Sequence, residues 1–600
     1  MLDSSTASRH VFQEDWPPDE LEDLLARVVR PGRYVGGEFN LRRKPGVRPR
    51  VVLSYPDAYE VGISNPGLQI LYELVNDRTP AAAERAYCPL PDMADLMRAR
   101  GVRLWSLESA EPVAACDLWG FTLPHELACT NVLEMLDLAG VPLHAAERGE
   151  EDPIVMGGGP AVADPWPLAG FFDAFFIGEV EGRMAAIVEA LGAPTRAGRL
   201  AALAAVPGVW LPHAAAAGPV ERQVFTGFSH TPPVQRPLVP LVEAVHDRVV
   251  IEVMRGCTAG CRFCQAGVWY RPVRERPVDM VVAAAERALA ATGYDEVSLV
   301  SLSSCDYSGI DEAVRRIRAL RPGIRVSLPS LRIDSAATSL AGFAAEQRGS
   351  VTLAPEAGTQ ALRESINKRV DDTQFDEAVR AVFSGGFTGL KLYFMIGLPG
   401  ESDDDVLGIA AMAAAAARRA KEIARGRARL SVSVSSYVPK PHTPFELEPF
   451  AGETTLRRRQ ALLRQAMPRH VRLSLHHLES SLVEATLARG GPGSDRLVED
   501  AWRRGARFDS WTEHFDEAAW RAAAAAAGLA LGEPAGEEAP WGAAGETAPW
   551  HTAVDARVTP AFLEEERRRA AERETTADCR DGVCVSCGVC GAGVEMEVLG

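Results

Sequence analysis

The sequence predicts an α/β protein with an N-terminal doubly wound parallel sheet, a central partial (β/α)6 barrel and a helical C-terminal region ending in a cysteine-rich tail. Three observations carry this reading. From about residue 50, short and almost continuously apolar runs alternate with helix-length stretches, and strands apolar on both faces belong to parallel sheets. The alternation resumes near residue 249 and continues through six further strands. Beyond about residue 450 the pattern turns helical, and the last segment gathers four of the eleven cysteines.

Residues 1–45 read as a helical lead-in, with a helix over 18–30 followed by a loop. They carry neither the basic n-region nor the apolar stretch of a secretory signal. Residues 46–190 form the first sheet domain. Its strands are expected at 51–54, 104–107, 118–122, 154–156 and 174–177, with helices at 68–75 and 130–138. Residues 191–245, rich in Ala, Pro and His, read as a connector. Residues 246–449 form the barrel, with strands at 249–254, 297–301, 325–328, 351–354, 389–396 and 430–434. Such a barrel places its chemistry at the C-terminal ends of the strands. Residues 450–526 are helical, and residues 527–549, rich in Gly, Ala, Pro and Glu, form a linker. Residues 550–600 hold a last helix over 560–574 and the cysteine motif.

The net charge of −17 argues against broad nonspecific nucleic-acid binding, which depends on Lys and Arg neutralising phosphates. No apolar run reaches the ~18 residues of a membrane span. The most apolar stretch, 406–417, ends in Arg418-Arg419 and reads as a buried helix. A cytoplasmic protein without membrane contact is therefore expected. Seven of the eleven cysteines fall in two tight groups, which in a reducing cytosol read as metal or redox sites. Cys88, Cys116, Cys129 and Cys305 read as small buried hydrophobes.

The strongest motif is Arg255-Gly256-Cys257-Thr-Ala-Gly-Cys261-Arg-Phe263-Cys264, directly after an apolar strand. Three thiolates on one short loop hold three irons of a cubane and leave the fourth iron open to a ligand. Zinc is the competing reading, but a structural zinc site needs four ligands and no fourth Cys or His is near. Glu356 and Gly358 follow the fourth barrel strand, Asn367 and Lys368 come next, and Phe394-Met-Ile-Gly397-Leu-Pro399-Gly400-Glu401 closes the fifth.

This order resembles the radical SAM superfamily, including its methylthiotransferase and Elongator-like branches. The resemblance implies a [4Fe–4S] cluster on Cys257, Cys261 and Cys264. It implies S-adenosylmethionine on the open iron, cleaved by one electron to a 5′-deoxyadenosyl radical. Phe263, Ser303, Ser304, Ser330, Arg332, Glu356, Gly397 and Gly400 are the implied cofactor contacts. The family's usual Gly-Gly-Glu after the second strand is absent. Arg271, Arg274 and Arg276 either balance the anionic cluster or form a solvated basic run.

The whole chain resembles radical SAM proteins with a Rossmann-like, B12-binding-type domain ahead of the barrel, a family found fused or adjacent to a radical SAM-linked protein. The residues are Pro56-Asp57-Ala-Tyr59-Glu60-Val-Gly62, Val438-Pro439-Lys440-Pro-His442-Thr443-Pro444-Phe445, Gly505-Ala-Arg-Phe508-Asp509-Ser-Trp511 and Thr575-Thr-Ala-Asp578-Cys579-Arg580. The Asp-x-His-x-x-Gly signature of a cobalt-ligating His is missing, and His125 and His144 do not sit in one. Two alternatives follow: cobalamin held without a protein His, or a domain that has lost cobalamin and serves substrate binding or scaffolding.

Cys579, Cys584, Cys587 and Cys590 lie within twelve residues. Four soft thiolates suit structural zinc or a second iron–sulfur cluster. The expected function is that of a radical SAM enzyme modifying an unidentified substrate. RNA is suggested by analogy with tRNA-modifying branches, and peptides and small molecules remain open. Its expected partners are a radical SAM-linked protein and an electron donor such as flavodoxin or ferredoxin. The alternative is an iron–sulfur electron-transfer or scaffold subunit working for a partner.

Overall fold

The computed structural model describes residues 19–214, 218–328, 333, 349–424, 428–535 and 547–599. The N-terminal sheet contains β1 (Arg50–Tyr55), β2 (Ala82–Tyr87), β3 (Leu118–Thr122), β4 (Ile154–Gly158), β5 (Ala174–Phe176) and β6 (Val209–Trp210) in the order β2-β1-β3-β4-β5-β6. All neighbours are parallel except β5 and β6. The 2-1-3-4-5 order is a doubly wound one, whose ligand crevice lies beyond the strand C-termini where the order reverses. Helix α1 (Pro66–Arg78) starts where Asn65 accepts from the Leu68 amide at 2.9 Å, with Pro66 in its first turn. Helix α2 (Cys129–Ala139) is buried along almost its whole length.

Two expectations for this sheet are corrected. Residues 104–107 are not a strand; they bury Leu104 and Trp105 and make only an isolated bridge from Trp105 to Pro112. The edge strand β2 was not expected, because Glu84 and Arg85 interrupt its apolar pattern. Both are buried and paired instead. Arg50 donates to Glu84 at 2.8 Å, and Arg85 donates to Glu108 at 2.7 Å and Glu38 at 2.9 Å.

All six expected barrel strands are present: β7 (Val249–Glu252), β8 (Glu296–Val300), β9 (Arg325–Ser327), β10 (Ser350–Glu356), β11 (Gly389–Ile396) and β12 (Arg429–Ser436). A seventh, β13 (Arg472–Leu475), comes from the stretch read as helical. The ladders are parallel and in chain order, β7-β8-β9 in one sheet and β10-β11-β12-β13 in the other. The helices used below are α3 (Gln265–Trp269), α4 (Gln360–Ser365), α5 (Asp403–Ala424), α6 (Ser494–Arg503), α7 (Glu517–Ala526) and α8 (Pro560–Glu572). Among the described residues, no helix is long and apolar enough to cross a membrane.

Residues after the barrel return to the N-terminal sheet domain and share its core, which includes Leu482, Leu497, Trp502 and Trp520. Polar groups set the docking. Asn131 accepts from the Phe508 amide at 2.8 Å, and Trp511 donates to Asp57 at 2.8 Å. His442, Glu446 and His551 join barrel, N-terminal domain and C-terminal segment. His442 Nε2 meets the Ala163 carbonyl at 3.0 Å, and Glu446 accepts from Trp550 at 2.8 Å.

Asp509 sits in the same interface, bonded to Thr130 Oγ1 at 2.5 Å and Trp520 Nε1 at 2.8 Å. Burial pushes its carboxyl up to about 6. The native state thus keeps a proton that the unfolded chain releases near pH ~4. Stability contributed by that proton falls as pH rises from ~4 to ~6, by about 3 kcal/mol for two pH units. Asp509→Asn is expected to flatten the change in urea midpoint between pH 4.5 and 7. An unchanged slope would assign the dependence elsewhere.

Candidate functional site

The loop after β7 carries Cys257, Cys261 and Cys264 at the C-terminal mouth of the barrel, and its shape rests on two glycines. Gly256 has φ +92°, and a Cβ there would come within 2.4 Å of the Pro272 carbonyl oxygen. Gly260 has φ +74°, and a Cβ there would come within 2.8 Å of the Asn367 amide nitrogen. Cys264 ends the loop as the N-cap of α3, its sulfur accepting from the Gly267 amide at 3.3 Å. Burial, then the neighbouring Cys261, push the Cys264 thiol up to about 12, with Cys257 and Glu356 adding to the effect and the Gly267 amide opposing it. Uncompensated thiolates crowded together in this way are what a bound cation would stabilise.

Long-range contacts hold the loop. Asn367 donates to the carbonyls of Ala259 at 3.2 Å, Gly260 at 3.1 Å and Thr576 at 3.3 Å, and accepts from the Thr576 amide at 2.8 Å. Arg262 is fully buried. It donates to Glu566 at 3.0 Å, to the carbonyls of Glu364 and Ser365 at 3.2 and 2.8 Å, and to that of Glu574 at 2.7 Å.

The structure brings several expected cofactor contacts to this loop. Phe263 packs in an apolar cluster with Ala357, Leu362, Leu398 and Tyr437. That cluster puts the residue after Glu356 and the residue after Gly397 against the cysteine loop. Glu356 has φ +70° at an irregularity in the β10–β11 ladder. Burial raises its carboxyl above the usual range, against the opposing pull of Lys368 at 3.3 Å. Gly397 has φ +95°, and its amide donates to Glu401 at 2.6 Å. Burial pushes Glu401 up to about 7 despite that bond and Arg459 at 2.7 Å.

Other expected residues have local surroundings of their own. Ser304 donates to the Leu299 carbonyl at 3.1 Å and is occupied by its own strand. Ser303 is buried, and its hydroxyl finds no partner among the described residues. Gly400 lines a groove against α8, shared with Leu362, Pro399, Phe445 and Ala561. Ser330 and Arg332 lie outside the described residues. The basic residues after the loop are buried rather than solvated. Arg274 grips Glu179 at 2.6 and 2.8 Å, and Arg276 donates to the Glu252 carbonyl at 3.1 Å.

A cavity of ≈ 460 Å³ opens between the two sheet domains. One side is the sheet face at Val51, Leu53, Gly120, Met156 and Phe176, with the loop Gly157 to Pro160. The other is Met254, Arg255, Gly256 and Tyr270, next to Cys257. Arg255 crosses its wall to Glu181 at 2.7 Å, Glu252 at 2.9 Å and Glu179 at 3.3 Å. Burial opposes charge on Glu179, but Arg255 and Arg274 outweigh it and hold the carboxyl at about 2. No His is among the lining residues. One signal passed over in the sequence is Asp57-Ala-Tyr59-Glu-Val-Gly62 after β1, which has the Asp-x-His-x-x-Gly spacing with Tyr in place of His. The Tyr59 hydroxyl donates to Glu38 at 3.0 Å and does not line the cavity.

Fold and loop together define a cofactor-dependent barrel enzyme. Residues 67–212 match the family model for the N-terminal region of radical SAM proteins, and residues 251–413 match that for the radical SAM superfamily. The chain belongs to the radical SAM superfamily, and its cofactors are a [4Fe–4S] cluster and S-adenosylmethionine. An uncharacterised protein of Methanocaldococcus jannaschii is 25% identical over 467 residues, covering 75% of this chain and 90% of the relative. Among solved structures, the radical S-adenosylmethionine methyltransferase TsrM from Kitasatospora setae, with cobalamin and a [4Fe–4S] cluster bound, aligns with TM-score 0.46 and 17% identity over 67% of this chain and 77% of that one. The cobalamin-dependent S-adenosylmethionine radical enzyme OxsB aligns with TM-score 0.45 and 14% identity over 61% and 51%.

Proposed function

We propose that Cys257, Cys261 and Cys264 hold the [4Fe–4S] cluster through three of its irons, and that S-adenosylmethionine occupies the barrel mouth beside Phe263, Glu356 and Gly397. When bound, the cluster supplies the single electron that turns S-adenosylmethionine into a 5′-deoxyadenosyl radical source. The chain's residues provide the setting. Gly256 and Gly260 let the loop close on its supports, and Asn367 and Arg262 fix its backbone. Lys368 offsets the charge of Glu356. The apolar cluster around Phe263 keeps water from that side of the loop.

The same reading assigns the inter-domain cavity to cobalamin. It rests on one observation: the cavity runs from the C-terminal edge of a 2-1-3-4-5 sheet to Gly256, the residue before Cys257. Its volume lies within the ~300–1,000 Å³ of ordinary ligand pockets. With no His in its lining, cobalt would receive no imidazole from this wall. RNA is the first substrate class to screen, ahead of peptides and small molecules. A radical SAM-linked protein and a flavodoxin- or ferredoxin-type donor are the proposed partners.

Anaerobically reconstituted protein given S-adenosylmethionine and dithionite is expected to release 5′-deoxyadenosine, read by mass spectrometry. A full cluster complement without product, and without an EPR change on adding S-adenosylmethionine, would favour an electron-transfer subunit. Gly158→Leu tests the cavity separately. A Cβ at Gly158 meets nothing nearer than the Phe176 carbonyl oxygen at 3.9 Å, and Gly158 lines the cavity, so a larger side chain begins there without a clash and takes up cavity space. Hydroxocobalamin affinity is expected to fall about tenfold or more, a loss of ~1.4 kcal/mol, with circular dichroism unchanged. Equal affinity would remove cobalamin from this cavity.

A further inference from the structure

The four-cysteine tail does not hang free of the barrel. Thr576, three residues before Cys579, is bonded to Asn367, the side chain that also holds Ala259 and Gly260 in the 257–264 loop. Asp578 meets Arg369 at 3.5 Å, and Arg580 meets Glu275 at 3.1 Å. Beyond the last cysteine, the chain pairs with the segment after that loop. The Glu275 amide donates to the Glu597 carbonyl at 2.8 Å, and the Glu597 amide to the Val273 carbonyl at 2.9 Å. The tail therefore lies across loops that follow β7 and β10, on the face of the barrel where the first three cysteines sit.

One side chain points to what the tail binds. Arg271 is 5% exposed, and its Nη1 has no hydrogen-bond partner among the described residues. Its guanidinium lies 3.9 Å from where a Gly260 Cβ would stand. It also acts electrostatically on the thiols of Cys579 and Cys590. A buried cation with a spare donor, placed between two groups of cysteines, suits anionic metal–thiolate centres on either side.

The spacing distinguishes the metals. Structural zinc sites typically draw their four ligands from two separated pairs. Cys584-x2-Cys587-x2-Cys590 is instead one continuous run of three, the ferredoxin-type wrapping of a cubane, with a fourth Cys supplied from outside the run. Here Cys579 is that fourth residue. Backbone shape agrees: Ser586, Gly588 and Gly591 have positive φ, and the Ser586 amide donates to the Cys584 sulfur at 3.4 Å. Cys584 and Cys590 are exposed, whereas Cys579 and Cys587 are half-buried.

We propose that Cys579, Cys584, Cys587 and Cys590 bind a second [4Fe–4S] cluster beside the first, serving as the entry point for electrons from a low-potential, one-electron donor of the ferredoxin or flavodoxin class. One electron leaves the donor, is held at the four-thiolate site and passes to the centre at 257–264. No bond forms or breaks and no proton moves in that transfer. This rests on the assignment of Cys257, Cys261 and Cys264 to the first cluster.

The test uses the full chain, reconstituted without oxygen and analysed for iron, sulfide and zinc. Wild type is expected to hold about eight irons, two cubanes' worth, and no zinc. Cys257→Ala/Cys261→Ala/Cys264→Ala should keep about four irons with an EPR signal indifferent to S-adenosylmethionine. Cys584→Ala/Cys587→Ala/Cys590→Ala should keep about four with a signal that shifts on adding it. One zinc with about four irons in wild type, or about four irons with no second metal, would overturn the proposal. A tail variant whose remaining cluster ignores S-adenosylmethionine would instead overturn the first assignment. If the triple tail variant fails to fold, Arg271→Gln takes its place. Losing this cation should lower the midpoint potential of the second cluster, and an unmoved potential counts against its position. The ratio of 5′-deoxyadenosine formed with reduced flavodoxin to that formed with dithionite should fall at least about tenfold in Cys584→Ser. An unchanged ratio would refute electron entry through the tail.

Discussion

Cys261→Ala is expected to lower 5′-deoxyadenosine formation by about a thousandfold or more, equivalent to at least ~4 kcal/mol of activation free energy. Cys261 is the middle residue of the loop and is followed by Arg262, whose amide donates to the Ile366 carbonyl at 3.1 Å. The backbone at this position is therefore held by contacts that do not involve the thiol, and the variant should fold. A cubane deprived of one of three protein thiolates loses its fixed open iron, and with it the position that a coordinating ligand needs. Iron content and product are measured on the same sample. Residual product near the wild-type level would show that Cys261 is not a ligand.

Arg262→Met is expected to destabilise the protein by about 3–5 kcal/mol, the range for removing one partner of a buried ion pair. Its guanidinium ties together three segments that are distant in sequence: the cysteine loop, the end of α4 and the turn after α8. Removing it leaves Glu566 buried, with Thr576 Oγ1 at 2.7 Å as its remaining donor. Urea unfolding reads the loss. Trypsin reads its location, because Arg573 and Arg580 flank the released segment. Arg262→Met/Glu566→Gln should recover part of the stability, since the stranded charge is gone. If the single variant loses less than about 1 kcal/mol, the pair contributes only what an exposed pair would.

The sequence disclosed the elements whose signals are local. Six barrel strands, α1 and α2 stood out because each carries its own apolar period, and the cysteine loop because three ligands fall within eight residues. What it concealed depends on partners far along the chain. Strand β2 was not expected because Glu84 and Arg85 are charged, and only Arg50, Glu38 and Glu108 make them buriable. Residues 104–107 looked like a strand because Leu104 and Trp105 are apolar, but their burial is in the core beside the sheet rather than in a ladder. The short strand β13 alternates Arg, Leu, Ser and Leu over four residues, too few for its period to show. At the site, Phe263, Glu356 and Gly397 were placed by motif order, whereas Asn367, Arg262 and Arg271 owe their roles to a tail some two to three hundred residues later. Tyr59 was missed for another reason: a spacing sought with His passes unseen when Tyr fills it.

The bonds from Asn367 and Arg262 to Thr576 and Glu566 also impose an order on how the protein is made. A ribosome adding ~5–20 residues per second takes roughly 16–64 s to travel from Cys257 to Thr576. Through that interval the nascent cysteine loop lacks the carbonyl and carboxylate partners that shape it. The loop of Cys257, Cys261 and Cys264 therefore gains its full set of supports only once residues 566–576 have been made. A message truncated just before them would yield a protein with all three loop cysteines in its text and without the partners that hold their loop.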